Sequence, residues 1–149
     1  MAAYRQTRTL TPQDAAYIAG IIDGEGTISL SRRHRNDNRQ LVVSIASTER
    51  ELLEYILQTV GAGRITKKRT ASANHSPSAT YVVDNRQAHS LLQQVAPYLR
   101  TYKAKRAELV LQNYLRLTPR NGKYSPTQQR EREAFVTSFF QLQPGIITR

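Results

Sequence analysis

The sequence predicts an α+β fold. Two β-hairpins build one four-stranded antiparallel sheet with helices on one face, in the order αββαββα, and two further helices follow. Three observations predict it. Two pairs of segments alternate apolar and polar residues at period 2, the pattern of a half-buried strand. Helical stretches with an apolar stripe follow each pair. The first helix ends in Asp23-Gly24-Glu25-Gly26, a pair of carboxylates bracketed by glycines.

In chain order, residues 1–9 are polar and basic and are expected to be a flexible arm. Thr11-Pro12-Gln13-Asp14 reads as a helix start, with Thr11 at the N-cap, Pro12 at the first position and Asp14 near the positive end of the dipole. This helix runs to about Asp23. Alternation resumes from Thr27 to Arg35, Asn36-Asp37-Asn38 has turn chemistry, and Gln40 to Ala46 places Leu41, Val43 and Ile45 on one face. Thr48-Glu49-Arg50-Glu51 has the form of a capping box for a helix to Val60, which Gly61 and Gly63 end. Arg64 to Ala71 and Ala79 to Asp84 form the second hairpin. Helices follow at about Arg86 to Ala96 and Tyr102 to Leu117. A last one begins at Ser125-Pro126-Thr127-Gln128, with Phe135, Phe139 and Leu142 on one side. The chain thus divides into the arm, a domain over residues 10–117, and a C-terminal extension over 118–149.

The bulk composition restricts the function. A chain of 149 residues with 39% hydrophobic content suits one domain with an ordinary core. No apolar run approaches a membrane span, and the N-terminal residues lack a signal-peptide core, so a soluble, intracellular protein with no membrane partner is expected. The absence of cysteine excludes disulfides, thiolate zinc and a thiol nucleophile. A net charge of +11 points to an anionic partner, by default nucleic acid.

The first helix has an unusual outer face. Projected at helical period, Ile18, Ile21 and Ile22 fall on one side with Tyr17 at the edge. Ala16, Ala19, Gly20 and Asp23 fall on the other. A helix that only covered a sheet would put charges outward, whereas small residues let a second backbone approach. Gly20 in mid-helix costs about 0.5–1 kcal/mol relative to alanine. The small face therefore predicts a crossing with a second helix, and Glu25 sits where both end.

Ile18 to Gly26 resembles the LAGLIDADG motif of the homing endonucleases: Ile18, Ile21 and Ile22 at the aliphatic positions, Ala19-Gly20 matching directly, Asp23 as first acid, Gly24 for a small alanine, and Glu25-Gly26 at the end. The αββαββα order is also the family's. The resemblance implies a site-specific homing endonuclease that makes a double-strand break in a long pseudo-palindromic double-stranded DNA target. Because the chain holds one motif, it implies a homodimer whose interface is Ala16, Ala19, Gly20 and Asp23. Glu25 is then the catalytic and metal-ligating acid, with the Gly24 backbone carbonyl as a further oxygen. The cation would be Mg2+, with Mn2+ or Ca2+ (in a non-cleaving complex) as substitutes. Intron homing follows from the same resemblance, and intron RNA is a further partner that it allows. The rivals are an RNA-splicing maturase and a non-catalytic DNA-binding regulator on the same scaffold; retention of the motif acid Glu25 favours an enzyme.

Chemistry agrees with the resemblance. Phosphodiester hydrolysis needs a cation to polarise the phosphate and activate water, and magnesium takes carboxylate oxygens, water and phosphate. One Glu25 supplies too few ligands, whereas two brought together across a two-fold make a site. Family members usually carry a lysine near the cleavage centre, and Lys103 falls at that position, either stabilising phosphate charge or serving as an ordinary phosphate clamp. Lys105 is the alternative. Ser47 stands where the family often has Gln or Asn to position water; it either takes that task or only precedes a helix start.

The open face of the predicted sheet is the expected DNA surface. It carries Ser29, Ser31, Arg33 and Arg35 from the first strand, and Gln40, Val42 and Ser44 from the second. Arg64, Thr66 and Lys68 come from the third, and Thr80 and Val82 from the fourth. A twisted ribbon bearing such side chains fits the major groove. Basic residues recur beyond it, at Arg100, Lys103, Lys105 and Arg106, and in the tail at Arg120, Lys123, Arg130 and Arg132, where added DNA-backbone contact is expected. His34 and His75 lie near hairpin tips, and His89 is read as a helix-surface residue.

Overall fold

The computed structural model describes residues 6–67 and 77–145. Helix α1 spans Pro12–Glu25, and Thr11 caps it by accepting from the Asp14 N–H at 3.1 Å. Strands β1 (Gly26–Ser31) and β2 (Gln40–Ser47) follow, then α2 (Arg50–Val60), β3 (Arg64–Lys67), β4 (Ala79–Asp84) and α3 (Asn85–Val95). A 3-10 turn (Ala96–Tyr98) leads to α4 (Tyr102–Asn113), and α5 (Pro126–Gln141) is the last element among the described residues. The sheet is antiparallel with strand order β1-β2-β4-β3. This is the α+β fold read from the sequence.

The core lies between the sheet and the helices. Ile28 and Leu30, then Leu41, Val43 and Ile45, then Tyr81 and Val83, are buried on one sheet face. Leu53, Ile56 and Val60 of α2 and Leu91, Leu92 and Val95 of α3 cover them. Full burial of each such side chain is worth about 1.5–3 kcal/mol. The Gly61 φ of 74° closes α2 in the left-handed region that glycine adopts without strain. No helix among the described residues is long and apolar enough to cross a membrane.

Several local expectations are corrected. The first strand stops at Ser31, so Arg33 and Arg35 stand in the loop before β2, where the Asp37 N–H donates to the His34 carbonyl at 3.0 Å. The predicted Thr48 capping box does not form: α2 begins after Glu49, whose N–H donates to the Ser47 hydroxyl at 3.0 Å. A capping box does form at α5, between Ser125 and Gln128. Helix α4 ends four residues early, at Asn113. Lys68, Arg69 and His75 lie outside the described residues.

Residues 6–9 are not a loose arm. The Arg8 N–H donates to the Val60 carbonyl at 2.8 Å, Thr7 meets the Ser90 hydroxyl at 2.6 Å, and the Gln94 side chain spans Thr7, Arg8 and the Leu10 N–H. These bonds lay the strap across α2 and α3. His89 is buried on α3 at 6% exposure, against the surface placement expected; it lines a depression with Gln6, Arg86 and Leu115. Burial, and then the Arg86 charge, push its pKa below the ordinary histidine value.

The C-terminal extension is bound to the domain by two buried arginines. Arg106 donates to the Leu142 carbonyl (2.9 Å) and to the Ile28 carbonyl (2.9 Å), and its guanidinium lies 4.6 Å from the Phe139 ring centroid. Arg132, 2% exposed, donates to the carbonyls of Leu117 and Arg39 and to the Thr118 hydroxyl. Neither guanidinium is on the surface, so both leave the group of expected nucleic-acid contacts.

Candidate active site

The C-terminal end of the motif helix meets the N-terminal end of α4, and each supplies what the other's terminus lacks. The last carbonyls of a helix have no partner within it. Lys103 Nζ donates to two of them, Ile22 O at 2.8 Å and Asp23 O at 3.0 Å. In return the Asp23 carboxylate accepts from the Arg100 N–H (2.8 Å), the Thr101 N–H (3.2 Å) and the Thr101 hydroxyl (2.5 Å), at the positive end of α4. Thr101 itself caps α4 by accepting from the Lys103 N–H.

Electrostatics follow the geometry. Burial pushes the Asp23 carboxyl up, but the Thr101 hydroxyl, the Arg100 and Thr101 N–H groups and the Lys103 charge outweigh it and hold its pKa below the ordinary value. Burial pulls the Lys103 pKa below the ordinary lysine range, opposed by the Asp23 charge and aided by Arg106. Lys103 is 8% exposed. An ammonium has three donors; two are taken by carbonyls of the motif helix, in the same helical turn as Glu25.

Glu25 is the last residue of α1 and is exposed. Its side chain takes part in no hydrogen bond or ion pair among the described residues, and so is linked to neither Lys103 nor Ser47. Gly26 is demanded by packing: a Cβ there would stand 2.7 Å from the Ile22 Cα. Gly20 and Gly24 are the opposite case, since an added Cβ meets no atom within 4 Å at either. Nothing among the described residues explains these two glycines.

The outer face of α1 differs in phase from the one expected. Ala15, Ile18, Ala19 and Ile22 are buried, and Ile21 is only half-buried. Ala19 is 0% exposed, so it belongs to the core and offers no surface to a second chain. The buried edge of the helix therefore includes the small residues Ala15 and Ala19 beside Ile18 and Ile22. The exposed stripe is Ala16, Gly20 and Gly24, at four-residue spacing. Tyr17, 55% exposed, flanks it and meets Tyr55 edge-on at 5.5 Å between ring centroids. Tyr55 in turn donates to Asp14 Oδ1 at 2.6 Å. Asp23 is committed to α4 rather than to an outward face.

Ser47 ends β2 in phase with buried Ile45, and its oxygen accepts the Glu49 N–H, a local turn that starts α2. With Thr48, Arg50 and Lys67 it lines a depression of about 600 Å³. Lys105 is exposed on α4. No group of three or more potential metal-ligating side chains occurs among the described residues. Within one chain, the oxygens at the end of α1 are the Glu25 carboxylate and nearby backbone carbonyls, a hard but incomplete donor set for a divalent cation.

The sheet face opposite the core is polar. Its cross-strand rows are read from the register: Ser31 with Gln40; Ser29, Val42 and Asp84; Thr27, Ser44, Val82 and Arg64; Ala46, Thr80 and Thr66. The expected contacts Ser29, Ser31, Gln40, Ser44, Arg64, Thr66 and Thr80 therefore share this face. Arg33, although in the loop, lines an 830 Å³ depression with Ser31, Gln40 and Arg64; Gly122 and Tyr124 of the extension close its far side. Asp84 and Asn85 line it too and were not anticipated. The signal for Asp84 was present, since it is in phase with Thr80 and Val82. It pairs with Arg64 at 3.4 Å.

The LAGLIDADG-like domain family matches residues 12–106, well over half of the chain, and the chain belongs to that family. Solved structures of LAGLIDADG homing endonucleases share its fold. The homing endonuclease I-CvuI, in complex with the I-CreI target, superposes with a TM-score of 0.72 at 22% identity, covering 92% of this chain and 86% of that one. The archaeal intron-encoded homing endonuclease I-Vdi141I, complexed with DNA, gives 0.59 at 21% identity over 92% and 88%. The meganuclease I-CpaMI, bound to uncleaved DNA, gives 0.61 at 17% identity; this chain spans 54% of its length. No curated protein matches the sequence.

Proposed function

We propose that this chain is a homodimeric, divalent-metal-dependent endonuclease that makes a site-specific double-strand break in DNA. The observation that carries the reading is Glu25. It is an exposed carboxylate without a partner, at the end of a motif helix whose outward stripe is Ala16, Gly20 and Gly24. That stripe accommodates the same helix of a second copy, which would bring two Glu25 side chains together where each helix ends.

Two such carboxylates, with Gly24 carbonyls and water, fit the hard-oxygen preference of Mg2+. When bound, the cation supplies phosphate polarisation and an activated water. The chain's own groups do the rest. Lys103 holds the carbonyl end of the motif helix and has one ammonium proton left for a phosphate oxygen or a water. Ser47 retains its own proton while accepting from Glu49, which leaves it able to order water. The polar sheet face reads base edges, and the +11 net charge supplies salt-sensitive phosphate attraction. A two-fold protein implies a pseudo-palindromic target.

The test is cleavage of a randomised DNA pool with Mg2+ by wild type and Glu25→Gln. Wild type is expected to cut and Glu25→Gln to bind without cutting. A fully active variant overturns the assignment. Binding of intron RNA in place of DNA cleavage identifies a maturase, and DNA binding without cleavage by wild type identifies a regulator.

A further inference from the structure

Gln40 on the open sheet face is held by a chain of hydrogen bonds whose direction begins at a backbone group. The Leu41 N–H, which can only donate, is 3.1 Å from the Tyr114 hydroxyl oxygen in a buried contact. The Tyr114 hydroxyl donates its own proton to Asn85 Oδ1 at 3.0 Å. That turns the other end of the amide, Asn85 Nδ2, toward Gln40, where it donates to Oε1 at 3.3 Å. Gln40 therefore has its carbonyl occupied on the protein side and its Nε2 amino group left over.

The backbone maintains this arrangement. Asn85 is the one described non-glycine residue with positive φ, at 53°. Asparagine tolerates that region better than most side chains. Strain of this kind persists where the surrounding structure fixes it, and here Tyr114, 0% exposed, fixes it from below. The kink ends β4 at Asp84 and lets the Asn85 side chain reach back to Gln40, the first residue of β2. Asn85 and Gln40 line the same depression as Arg33, Arg64 and Asp84.

We propose that Gln40 is a donor-only reader of one base in each half-site, its polarity set through Asn85 and Tyr114, and that the base is guanine. This rests on the sheet face being the DNA surface. A free glutamine reads adenine with oxygen and nitrogen together, accepting from N6 and donating to N7. With Oε1 turned to Asn85 that bidentate pairing is lost. The remaining amino group suits guanine, which presents two acceptors, O6 and N7, in the major groove. Asn85 and Tyr114 touch no base; they are positioning residues.

The discriminating variant is Asn85→Asp. Aspartate also tolerates positive φ, and one of its oxygens still accepts from Tyr114. Its other oxygen can only accept, so Gln40 must turn Nε2 inward and Oε1 outward. The experiment is enrichment of bound sequences from a randomised two-fold symmetric DNA pool, read by sequencing and independent of cleavage. Wild type is expected to enrich guanine over adenine roughly five-fold or more at one symmetric position, the size of a single base contact. Gln40→Ala should flatten that position alone. Asn85→Asp should move the preference there to a base with an exocyclic amino group, adenine or cytosine.

Retention of guanine by Asn85→Asp, a flat position in that variant, or an unchanged position in Gln40→Ala overturns the proposal. If Asn85→Asp does not fold, Tyr114→Phe replaces it, and must lower the guanine-over-adenine ratio; an unchanged ratio overturns the relay. A wild type that enriches no sequence at all overturns the DNA-recognition reading instead, so the two failures are distinct.

Discussion

Asp23 and Lys103 cap each other's helices. The ammonium holds the carbonyl end of α1 at 2.8 and 3.0 Å, and the carboxylate holds the N–H end of α4. The first acid of the motif is therefore engaged within one chain, whereas the Glu25 side chain has no partner among the described residues. Asp23→Ala is expected to cost about 1–2 kcal/mol, as loss of a helix cap does. The sign with pH is determined by the lowered folded-state pKa. The contribution is complete above the unfolded value of 3.8 and is lost as pH falls through the lower folded one. Urea midpoints of the two proteins should be well separated at pH 7 and converge below pH 3.8. A gap that persists in acid would mean that the carboxylate charge is not what stabilises the junction.

Lys103 and Glu25 should separate stability from activity. Lys103→Met strips the side-chain donor from two carbonyls and leaves Asp23 without its cation, a loss of about 1–3 kcal/mol. Glu25→Gln alters an exposed group with no partner and should stay within about 0.5 kcal/mol of wild type. Cleavage is expected to fall in both. Thermal unfolding decides the point: a Lys103→Met protein as stable as wild type would show that the cap contributes little.

Much of this was legible in the sequence because it rests on local rules. Thr11-Pro12 and Ser125-Pro126 start helices with their own side chains, and period-2 alternation placed Leu41, Val43 and Ile45 on the buried face. What failed depended on tertiary choices. Ala19 is small enough to face either way, and tertiary packing took it into the core. Arg106 and Arg132 look like surface cations in sequence; only the fold shows carbonyls and aromatic rings waiting for them. The positive φ of Asn85 and its bonds to Gln40 and Tyr114 join residues 29 and 45 positions apart, and no local pattern announces such a link.

Gly20 should behave differently in the chain and in the assembly. A methyl group at position 20 meets nothing among the described residues, so Gly20→Ala is expected to strengthen the helix by about 0.5–1 kcal/mol through the lost backbone freedom of glycine. The same stripe is proposed to lie against its copy, where added volume separates the backbones. Gly20→Leu should therefore sediment as a folded monomer at concentrations where wild type is a dimer. An unaltered dimer would remove α1 from the interface.

His89 gives a second pH signature. Burial and the Arg86 charge lower its pKa, so the folded state resists protonation. Stability should hold above the unfolded value of 6.5 and decline as pH falls from there toward the folded pKa. His89→Leu should flatten that part of the profile. Melting temperatures between pH 7.5 and 5 measure it, and equal slopes in the two proteins would place the titration elsewhere.

Arg132 tests what the C-terminal extension is for. Read as a surface cation, it would contact DNA phosphate, and its loss would weaken binding, leave the melting temperature unchanged and reduce the salt dependence of binding by about one ion. Its position argues the reverse. It is 2% exposed and donates to the carbonyls of Leu117 and Arg39 and to Thr118, joining α5, the turn after α4 and the loop before β2. Arg132→Ala strips the donor from one buried and one part-buried carbonyl, a cost of about 2–4 kcal/mol, while the phosphate contacts remain. The melting temperature should fall and the slope of log affinity against log salt should stay the same. Arg33, exposed beside the depression on the sheet face, should give the opposite pair of results when replaced by alanine. If the two variants behave alike, the division between structural and nucleic-acid-facing arginines drawn from their burial is wrong.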